Sequence, residues 1–367
     1  MPFGKAGSSR AFAAPGKYIQ GPGELFNLPE YAGLCGKIAY ALIDPFFYND
    51  IHNKLESAFR KAGQMLFCSA FTGECCEEEF NRIDKENKDR KIDVYIAIGG
   101  GKTADTIKAV ASRNGGMMII CPTALSTDAP TSASSMVYRE DHSSFQILHA
   151  RNPDYVLVDT EIAVHAPIRL FVAGMGDALA TYFEARACWE SNNINNVGHG
   201  FCSAIAGRTL AKLSFDILMS EGREAFWAAK NGLRTQQFED VAEANTLLSG
   251  VGYENTGCTI AHGLQSAFSA CPDCKKALHG ELVAFGTQCQ LIAENRPIEE
   301  FYQVRNFCKD VGLPVCLADI GIVENKRDTA QWCVEYALKN RQIVHIEPFT
   351  VTEDRLLNAM LFVDSLE

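Results

Sequence analysis

The sequence predicts an α/β fold class: an N-terminal domain with a doubly wound parallel sheet, followed by an all-helical C-terminal domain. Three observations support this. Short apolar runs alternate with helical segments in the first half, such runs become rare after about Pro167, and long stretches rich in Ala, Leu and Glu follow. Alternating strands and helices are typical of parallel sheets covered by helices. We therefore place a dinucleotide-binding type of domain at residues 1–165 and a helical domain at residues 166–367.

Four apolar runs in the first half have the length and composition of buried parallel strands. They are KIAYALID at 37–44, IDVYIAI at 92–98, MMIIC at 117–121 and DYVLVD at 154–159. Between the first two runs, residues 49–63 place Ile51, Leu55 and Phe59 at helical spacing, as expected for a crossover helix. Ligands of such sheets bind beyond the carboxyl ends of the strands, so the loops after these runs are the first candidates for a site.

Composition and charge narrow the classes of partner. The chain has 367 residues and a formal net charge of −11. An acidic surface repels nucleic acid and anionic lipid, so neither is an expected partner. No apolar run reaches the ~18 residues of a membrane span. The 14 cysteines, without an apolar secretion signal, are expected to be reduced thiols.

The N-terminal segment bears on location. It carries Lys5, Arg10 and Lys17 with no acid before Glu24, a composition also found in organelle transit segments. A plain cytoplasmic tail has the same features, and we expect a cytoplasmic protein.

The segment IAIGGGKTADT at 96–106 is a strand, a glycine turn and the start of a helix, which is the usual geometry of a phosphate site. A nucleoside-triphosphate loop would need glycine at position 96, where the chain has Ile96. The dinucleotide pattern fits as Gly99, Gly101 and Ala104, although a tight turn without a ligand has the same composition. Asp44 ends the preceding strand, where a carboxylate can hold ribose hydroxyls and disfavours a 2′-phosphate, so NAD is favoured over NADP.

A hydroxyl-rich loop, CPTALSTDAPTSASSMVY at 121–138, follows the third strand. Its single acid, Asp128, lies among short hydroxyl side chains at Thr123, Ser126, Thr127 and Ser132. These groups suit a dinucleotide or a polyol, and the same composition also suits a surface turn.

The helical half contains candidate metal ligands. Asp177 lies in a segment that is apolar on nearly all sides, where it shares one stripe with Thr181, Glu184 and Cys188. A buried carboxylate must be paired, protonated or bound to a metal. Together with His262 and His279, Asp177 would form a catalytic zinc site with an open position.

Two alternatives to that triad remain open. Cys271 and Cys274 lie between the histidines in the sequence, and with His262 and His279 they would form a closed structural zinc site. Both cysteines could equally lie in a loop without a metal.

Six motifs together resemble the iron-containing (group III) alcohol dehydrogenase superfamily. They are PGKYIQGPGEL, AIGGGKTADTIKA, PTALSTDAPTSASSMVY, GMGDALATYFEARAC, EANTLLSGVGYE and HGELVAFGTQ. The resemblance implies a dinucleotide-binding domain and a helical domain with the active site in the cleft between them. It also implies NAD, one zinc per subunit and a homo-oligomer, an octamer in the relatives.

The resemblance assigns roles to individual residues. The zinc ligands, which also bind substrate, are Asp177, His262 and His279, and Asp128 is the catalytic residue that contacts the polyol. The residues expected to contact NAD are Asp44, Gly99, Gly100, Gly101, Lys102, Thr103, Thr123, Ser126, Ser132, Ser134 and Tyr138. Cys271 and Cys274 depart from the family pattern. This departure affects the expected substrate preference more than the expected reaction type.

The implied reaction is zinc-assisted oxidation of glycerol and other vicinal diols to dihydroxyacetone and its analogues, with hydride transfer to NAD. The alternative is a glycerol-1-phosphate dehydrogenase or a dehydroquinate-synthase-like enzyme acting on a phosphorylated polyol. Such enzymes need cations near the substrate phosphate, and the hydroxyl-rich loop has none before Arg139. A third, non-enzymatic possibility is a binding protein built on the four-ligand structural zinc site.

Overall fold

The computed structural model describes residues 9–139, 144–198 and 200–366, so Lys5 of the segment considered for targeting lies outside the described residues. Internal contacts divide the described chain into two compact units. Residues 13–167 form one unit, and residues 168–366 together with residues 9–12 form the other.

The first unit contains a six-stranded sheet in which every neighbouring pair is parallel. Its strands, in the order in which they lie side by side, are β2 (Lys17–Gly21), β9 (Tyr155–Asp159), β6 (Met117–Pro122), β5 (Val94–Gly99), β3 (Ile38–Ile43) and β4 (Met65–Ala70). After β6 in the sequence, β7 (Ser134–Tyr138) and β8 (Ser144–Leu148) form an antiparallel hairpin. The strands of the described chain are β1 (Arg10–Ala11), β2 (Lys17–Gly21), β3 (Ile38–Ile43), β4 (Met65–Ala70), β5 (Val94–Gly99), β6 (Met117–Pro122), β7 (Ser134–Tyr138), β8 (Ser144–Leu148), β9 (Tyr155–Asp159) and β10 (Cys202–Ser203).

The four predicted strands are confirmed as β3, β5, β6 and β9, which are the four inner strands of the sheet. The edge strands β2 and β4 were not predicted, because each is only partly buried and lacks the continuous apolar run of a central strand. The helices of this unit are α1 (Leu28–Cys35), α2 (Pro45–Lys61), α3 (Glu77–Glu86), α4 (Gly101–Asn114) and α5 (Thr160–Ala163).

The core of this unit lies between the sheet and the helices that cover it. Leu55 and Phe59 of α2 are fully buried in the same apolar cluster as Ile96 and Ile98 of β5. The predicted helical spacing of residues 51, 55 and 59 therefore marks the buried face of α2. This packing fixes the carboxyl edge of the sheet, where the glycine turn lies.

The second unit is almost entirely helical, as predicted. Its helices are α6 (Ile168–Glu190), α7 (Ile205–Lys230), α8 (Gln236–Glu243), α9 (Ser249–Glu254), α10 (Ile260–Ala270), α11 (His279–Ala293), α12 (Ile298–Val311), α13 (Lys326–Asn340) and α14 (Glu353–Asp364). Between α8 and α9, residues Ala244–Leu248 form a π-helical turn. Helix α6 is buried along most of its length, including Asp177 and Glu184, so its polar side chains are held inside the unit.

The amino-terminal strand belongs to the helical unit. Strand β1 pairs in parallel with β10, with Arg10 opposite Cys202 and Ala11 opposite Ser203. The division drawn from the sequence kept these residues in the first domain, because a two-residue strand has no periodicity from which its partner can be inferred.

Within the described residues, no helix combines the length and the apolar character that crossing a membrane requires.

Candidate active-site residues in the two units

The glycine turn joins β5 directly to α4. A Cβ atom on residue 99 would lie 2.6 Å from Thr103 Oγ1 and 3.1 Å from Asp44 Cβ, so no side chain fits there. A Cβ atom on residue 100 would meet no heavy atom within 4 Å. Gly100 is also the N-cap residue of α4, which has no side-chain cap and no acid in its first turn. This helix start therefore has neither a capping side chain nor an acid, as is usual at an anion site.

Two other predicted residues lie at the same edge of the sheet. Asp44 follows β3, and its backbone N–H donates to the Ile98 carbonyl at 2.8 Å. Asp44 Oδ1 accepts the Phe46 N–H at 3.0 Å, so this carboxylate also caps α2. Thr123 follows β6 and donates its N–H to the Gly99 carbonyl at 3.1 Å. The structure therefore brings Asp44, Thr123 and the glycine turn together.

The hydroxyl-rich loop is anchored from beneath by a buried lysine. Lys108 of α4 is 1% exposed, and its Nζ donates to the Ala129 carbonyl at 2.8 Å and to the Ser132 carbonyl at 3.4 Å. The same ammonium pairs with Asp105 at 2.8 Å. Asp105 accepts the Met136 N–H at 2.9 Å, which ties β7 to the same helix. This ion pair holds the middle of the loop and strand β7 against α4.

The remaining predicted residues of this unit lie in or beside that loop. Ser132 Oγ and Ser134 Oγ are 3.3 Å apart and buried, whereas Ser126 and Asp128 are half-buried. Tyr138 lies beneath the Lys102 ammonium, which is 4.9 Å from the ring centre.

Lys102 also pairs with Glu74 at 2.7 Å. Burial raises the pKa of Tyr138 to about 12, so its hydroxyl is a hydrogen-bond donor at neutral pH.

In the helical unit, Asp177, His262 and His279 converge on one point. Asp177 Oδ1 lies 3.1 Å from His279 Nε2 and 3.3 Å from His262 Nε2, and the two imidazole rings are 5.5 Å apart. All three donor atoms lie within 4.8 Å of one another. The Asp177 side chain is 1% exposed and that of His279 is 40% exposed, so the cluster is buried on the aspartate side and open on the His279 side.

A close helix crossing sets the distance between Asp177 and His279. Each residue is next to a glycine, Gly176 in α6 and Gly280 in α11. A Cβ on residue 280 would overlap the Ala173 carbonyl, and a Cβ on residue 176 would overlap the Gly280 carbonyl. Only hydrogen fits between these backbones, so the two helices touch main chain to main chain at the cluster.

Glu184 fixes the orientation of His262. Its Oε2 lies 2.5 Å from His262 Nδ1, and its Oε1 accepts the backbone N–H groups of His262 at 3.0 Å and of Thr259 at 2.8 Å. One buried carboxylate thus caps the start of α10 and holds the proton on Nδ1. A metal ion that replaced the proton on His262 Nε2 would then meet the lone pair of this nitrogen.

The cluster holds its carboxylate ionised. Although burial raises the pKa of Asp177, the charges and hydrogen bonds of His279 and His262 bring it below the ordinary value for aspartate. Burial lowers the pKa of His262, but Cys258, Glu184 and Asp177 together raise it well above the ordinary value for histidine. The cluster therefore contains buried negative charge. This charge is balanced either by protons on the histidines or by a bound metal ion.

The donor set fits a divalent transition metal. One carboxylate oxygen and two imidazole nitrogens are common ligands of catalytic zinc and of non-haem iron, and three ligands leave an open position. A carboxylate behind one histidine is also usual at such sites, because it fixes the tautomer. The exposed side of His279 is where a substrate oxygen could approach.

The four-ligand structural zinc site is not formed. Among the described residues, the clusters compact enough to share an ion contain neither Cys271 nor Cys274. Cys271 and Cys274 are instead buried beside Cys333 of α13, and all three are free thiols. Burial and the neighbouring thiols raise the pKa of Cys333, so this thiol is protonated at neutral pH.

The role of Glu184 was missed in the sequence. The available signal was its position seven residues after Asp177 on the same stripe of α6, which places both carboxylates on one face. Sequence spacing could not show that α10 begins against that face.

The chain is similar to known proteins in sequence and in structure. A sequence profile described as iron-containing alcohol dehydrogenase matches residues 15–160. The glycerol dehydrogenase of Citrobacter freundii is 37% identical over 97% of this chain and 98% of its own length. The glycolaldehyde reductase of Halobacterium salinarum is 36% identical over 97% of each chain. The crystal structure of a probable glycerol dehydrogenase from Sinorhizobium meliloti 1021 is 39% identical, with a TM-score of 0.91 over 98% of this chain and 99% of the other.

Proposed function

The chain belongs to the iron-containing alcohol dehydrogenase family, and we propose that it is an NAD-dependent dehydrogenase that oxidises glycerol at its secondary hydroxyl to dihydroxyacetone. The proposal rests on the full-length similarity to the glycerol dehydrogenase of Citrobacter freundii. The observation that carries it is the convergence of Asp177, His262 and His279 within 4.8 Å of one another. Other vicinal diols are expected to react as well.

We propose that Asp177, His262 and His279 hold one zinc ion. When bound, zinc supplies a Lewis acid that lowers the pKa of an alcohol hydroxyl, as it lowers that of bound water to about 7. The residues themselves supply the rest of the site. Asp177 brings one negative charge from a buried position, and Glu184 keeps His262 in the tautomer that presents a lone pair. The two neutral imidazoles leave the positive charge of the ion largely uncancelled.

Residues of the sheet unit are assigned to NAD and to the polyol. The N–H groups of the glycine turn would hold the pyrophosphate, and Asp44 would accept hydrogen bonds from a ribose hydroxyl. Asp128 would accept a hydrogen bond from a substrate hydroxyl and so orient the diol. The further NAD contacts are proposed for Lys102, Thr103, Thr123, Ser126, Ser132, Ser134 and Tyr138.

We also propose a cytoplasmic homo-oligomer, in line with the family. Neither the location nor the number of subunits enters the chemistry described above.

Replacement of His279 tests the function. The His279→Ala variant should lose at least about 99% of glycerol-dependent NAD reduction, because it removes one ligand and an effect of 10²-fold or more is usual for such groups. NADH binding, followed by fluorescence, and the far-UV circular dichroism spectrum should be unchanged. A matched control is His165→Gln, an exposed histidine in the other unit. Turnover near that of the unmodified chain in His279→Ala would refute the metal assignment.

A further inference from the structure

The far end of α6 forms a second polar site. Trp189 lies twelve residues beyond Asp177, about 18 Å along the helix, so the two sites are separate. Beside it is a cavity of about 270 Å³. The cavity is lined by Cys188, Trp189, Asn192, Asn193, Cys202 and Ser203, and no acid is among them.

Two arginines meet at Trp189 without a carboxylate. The Arg208 guanidinium of α7 lies over the indole ring, and that of Arg10 in β1 lies 5.7 Å from the ring centre. Within the described part of the chain, neither forms an ion pair, and the neighbouring Glu190 is engaged by Arg296 at 2.7 Å. Burial, followed by the charge of Arg10, lowers the pKa of Arg208. Two cations thus lie beside one aromatic side chain, and within the described residues no acid pairs with either of them.

Buried polar atoms at the same place lack partners. Ser203 is 2% exposed and lines the cavity, yet among the described residues its hydroxyl has no hydrogen-bond partner, and Arg208 Nε is also buried without one. An unmet buried donor costs about 1–3 kcal/mol, so such atoms are normally satisfied by something. Ser203 immediately precedes the N-cap residue of α7, and Arg208 is the fourth residue of that helix.

The start of α7, a helix of 26 residues, offers further hydrogen-bond donors. Its N-cap residue is Ala204, which provides no side-chain cap, and its first turn contains no acid. The pairing of β1 with β10 places Arg10 opposite Cys202, next to Ser203 and the helix start. Free N–H groups, a hydroxyl and two guanidinium groups are the donors that bind phosphate-like anions.

We propose that the start of α7 binds a small oxyanion of the phosphate class, held by Arg10, Arg208 and the Ser203 hydroxyl. The inference does not depend on the proposed function, because none of these residues belongs to the NAD or metal sites. Its chemistry is that of a doubly charged anion, which the two guanidinium groups neutralise.

Calorimetric titration of the full chain with inorganic phosphate tests the site, at an ionic strength held constant with chloride. With NAD present at saturation, so that the glycine turn is already occupied, saturable binding of one phosphate per chain is expected. Arg208→Gln and Ser203→Ala should each weaken binding, the former by about tenfold or more, since charged hydrogen bonds contribute about 1.5–3 kcal/mol. Arg223→Gln is the matched control, because Arg223 lies on the same helix and is paired with Asp310 at the surface.

The outcomes separate the sources of the anion. Absence of saturable binding, or an equal loss in Arg223→Gln, would overturn the proposal. A carboxylate from a second copy of the chain could occupy the site instead; in that case Arg208→Gln would change the sedimentation coefficient and phosphate would not bind. If Arg208→Gln does not fold, Arg10→Gln serves in its place, because Arg10 is exposed on a two-residue strand.

Discussion

Glu184 shows how a single buried carboxylate serves both folding and chemistry. It accepts two backbone N–H groups at the start of α10 and orients the His262 ring through Nδ1. Neither contact reaches the reacting atoms, so Glu184 is a positioning residue. Its neighbour on the same helix, Glu190, pairs with Arg296 at the surface and provides a natural comparison.

We expect Glu184→Gln to weaken zinc binding by about 10–100-fold, because the amide no longer fixes the tautomer of His262 as a carboxylate does. Zinc affinity measured by competition with a chromogenic chelator checks this. In excess zinc, much of the lost activity should return. The Glu190→Gln variant should bind zinc normally; an equal loss in both variants would show that the effect is a general change of charge.

A second residue makes stability depend on pH. Burial, followed by the charge of Lys108, lowers the pKa of His149 to about 4 from 6.5. His149 Nε2 lies 2.8 Å from Ser135 Oγ, so the neutral ring is held in the hairpin β7-β8. The unfolded chain binds a proton at higher pH than the folded chain does, so the contribution to stability is present above pH 6.5 and is lost as the pH falls towards 4.

Urea unfolding of His149→Gln at pH 7.5 and pH 5 measures this effect. The unmodified chain should lose about 1–2 kcal/mol more than the variant between these pH values, after a discount for partial exposure. The exposed His165→Gln control should follow the unmodified chain. The assignment is wrong if His149→Gln and the unmodified chain lose stability in parallel.

At the scale of elements, the turn between β5 and α4 combines two requirements. Gly99 has no room for a side chain, whereas the space beside Gly100 is open. The first glycine is required by the fold itself. The second is free of contacts in the protein, so a methyl group added there tests for a ligand without disturbing the packing.

Gly100→Ala separates these roles. The folded chain should tolerate the added methyl group, while the KM for NAD should rise about tenfold or more because the methyl group occupies the proposed pyrophosphate position. The kcat at saturating NAD should change little. Gly21→Ala is the control, since its Cβ makes only ordinary contacts with Glu24. An unchanged KM for NAD in Gly100→Ala would remove the turn from the cofactor site.

The sequence specifies its elements unequally. The strands β3, β5, β6 and β9 are long apolar runs, and their burial follows directly from composition. The hairpin β7-β8 and strand β4 mix polar and apolar residues, so their pairing depends on neighbours that are distant in sequence.

The same limit applies to the candidate sites. The residue types of Asp177, His262 and His279 indicate a metal, and the family resemblance selects these three from the other histidines and acids. Their distances depend on the contacts of α6 with α10 and α11, which no local pattern reports. The arginine pair at Trp189 could not be predicted from a local pattern either, because Arg10 and Arg208 are 198 positions apart.

For the whole molecule, the question is whether the metal supports the fold or only the chemistry. The helical unit buries α6 and α11 through apolar contacts along most of their length, including Leu179, Phe183 and Phe285. We therefore expect a chelator to abolish glycerol oxidation while the circular dichroism spectrum stays the same. Added zinc should restore activity. Unfolding on chelation would instead indicate a structural metal.

The contact between Gly176 and Gly280 has an evolutionary consequence. Because two backbones in contact set the spacing of Asp177 and His279, this spacing does not depend on the bulk of the surrounding side chains. Proteins that evolve from this one can change the side chains around the cluster and so accept other alcohols as substrates, provided that both glycines are kept. Where either glycine is lost, we expect the ancestral chemistry to be lost with it.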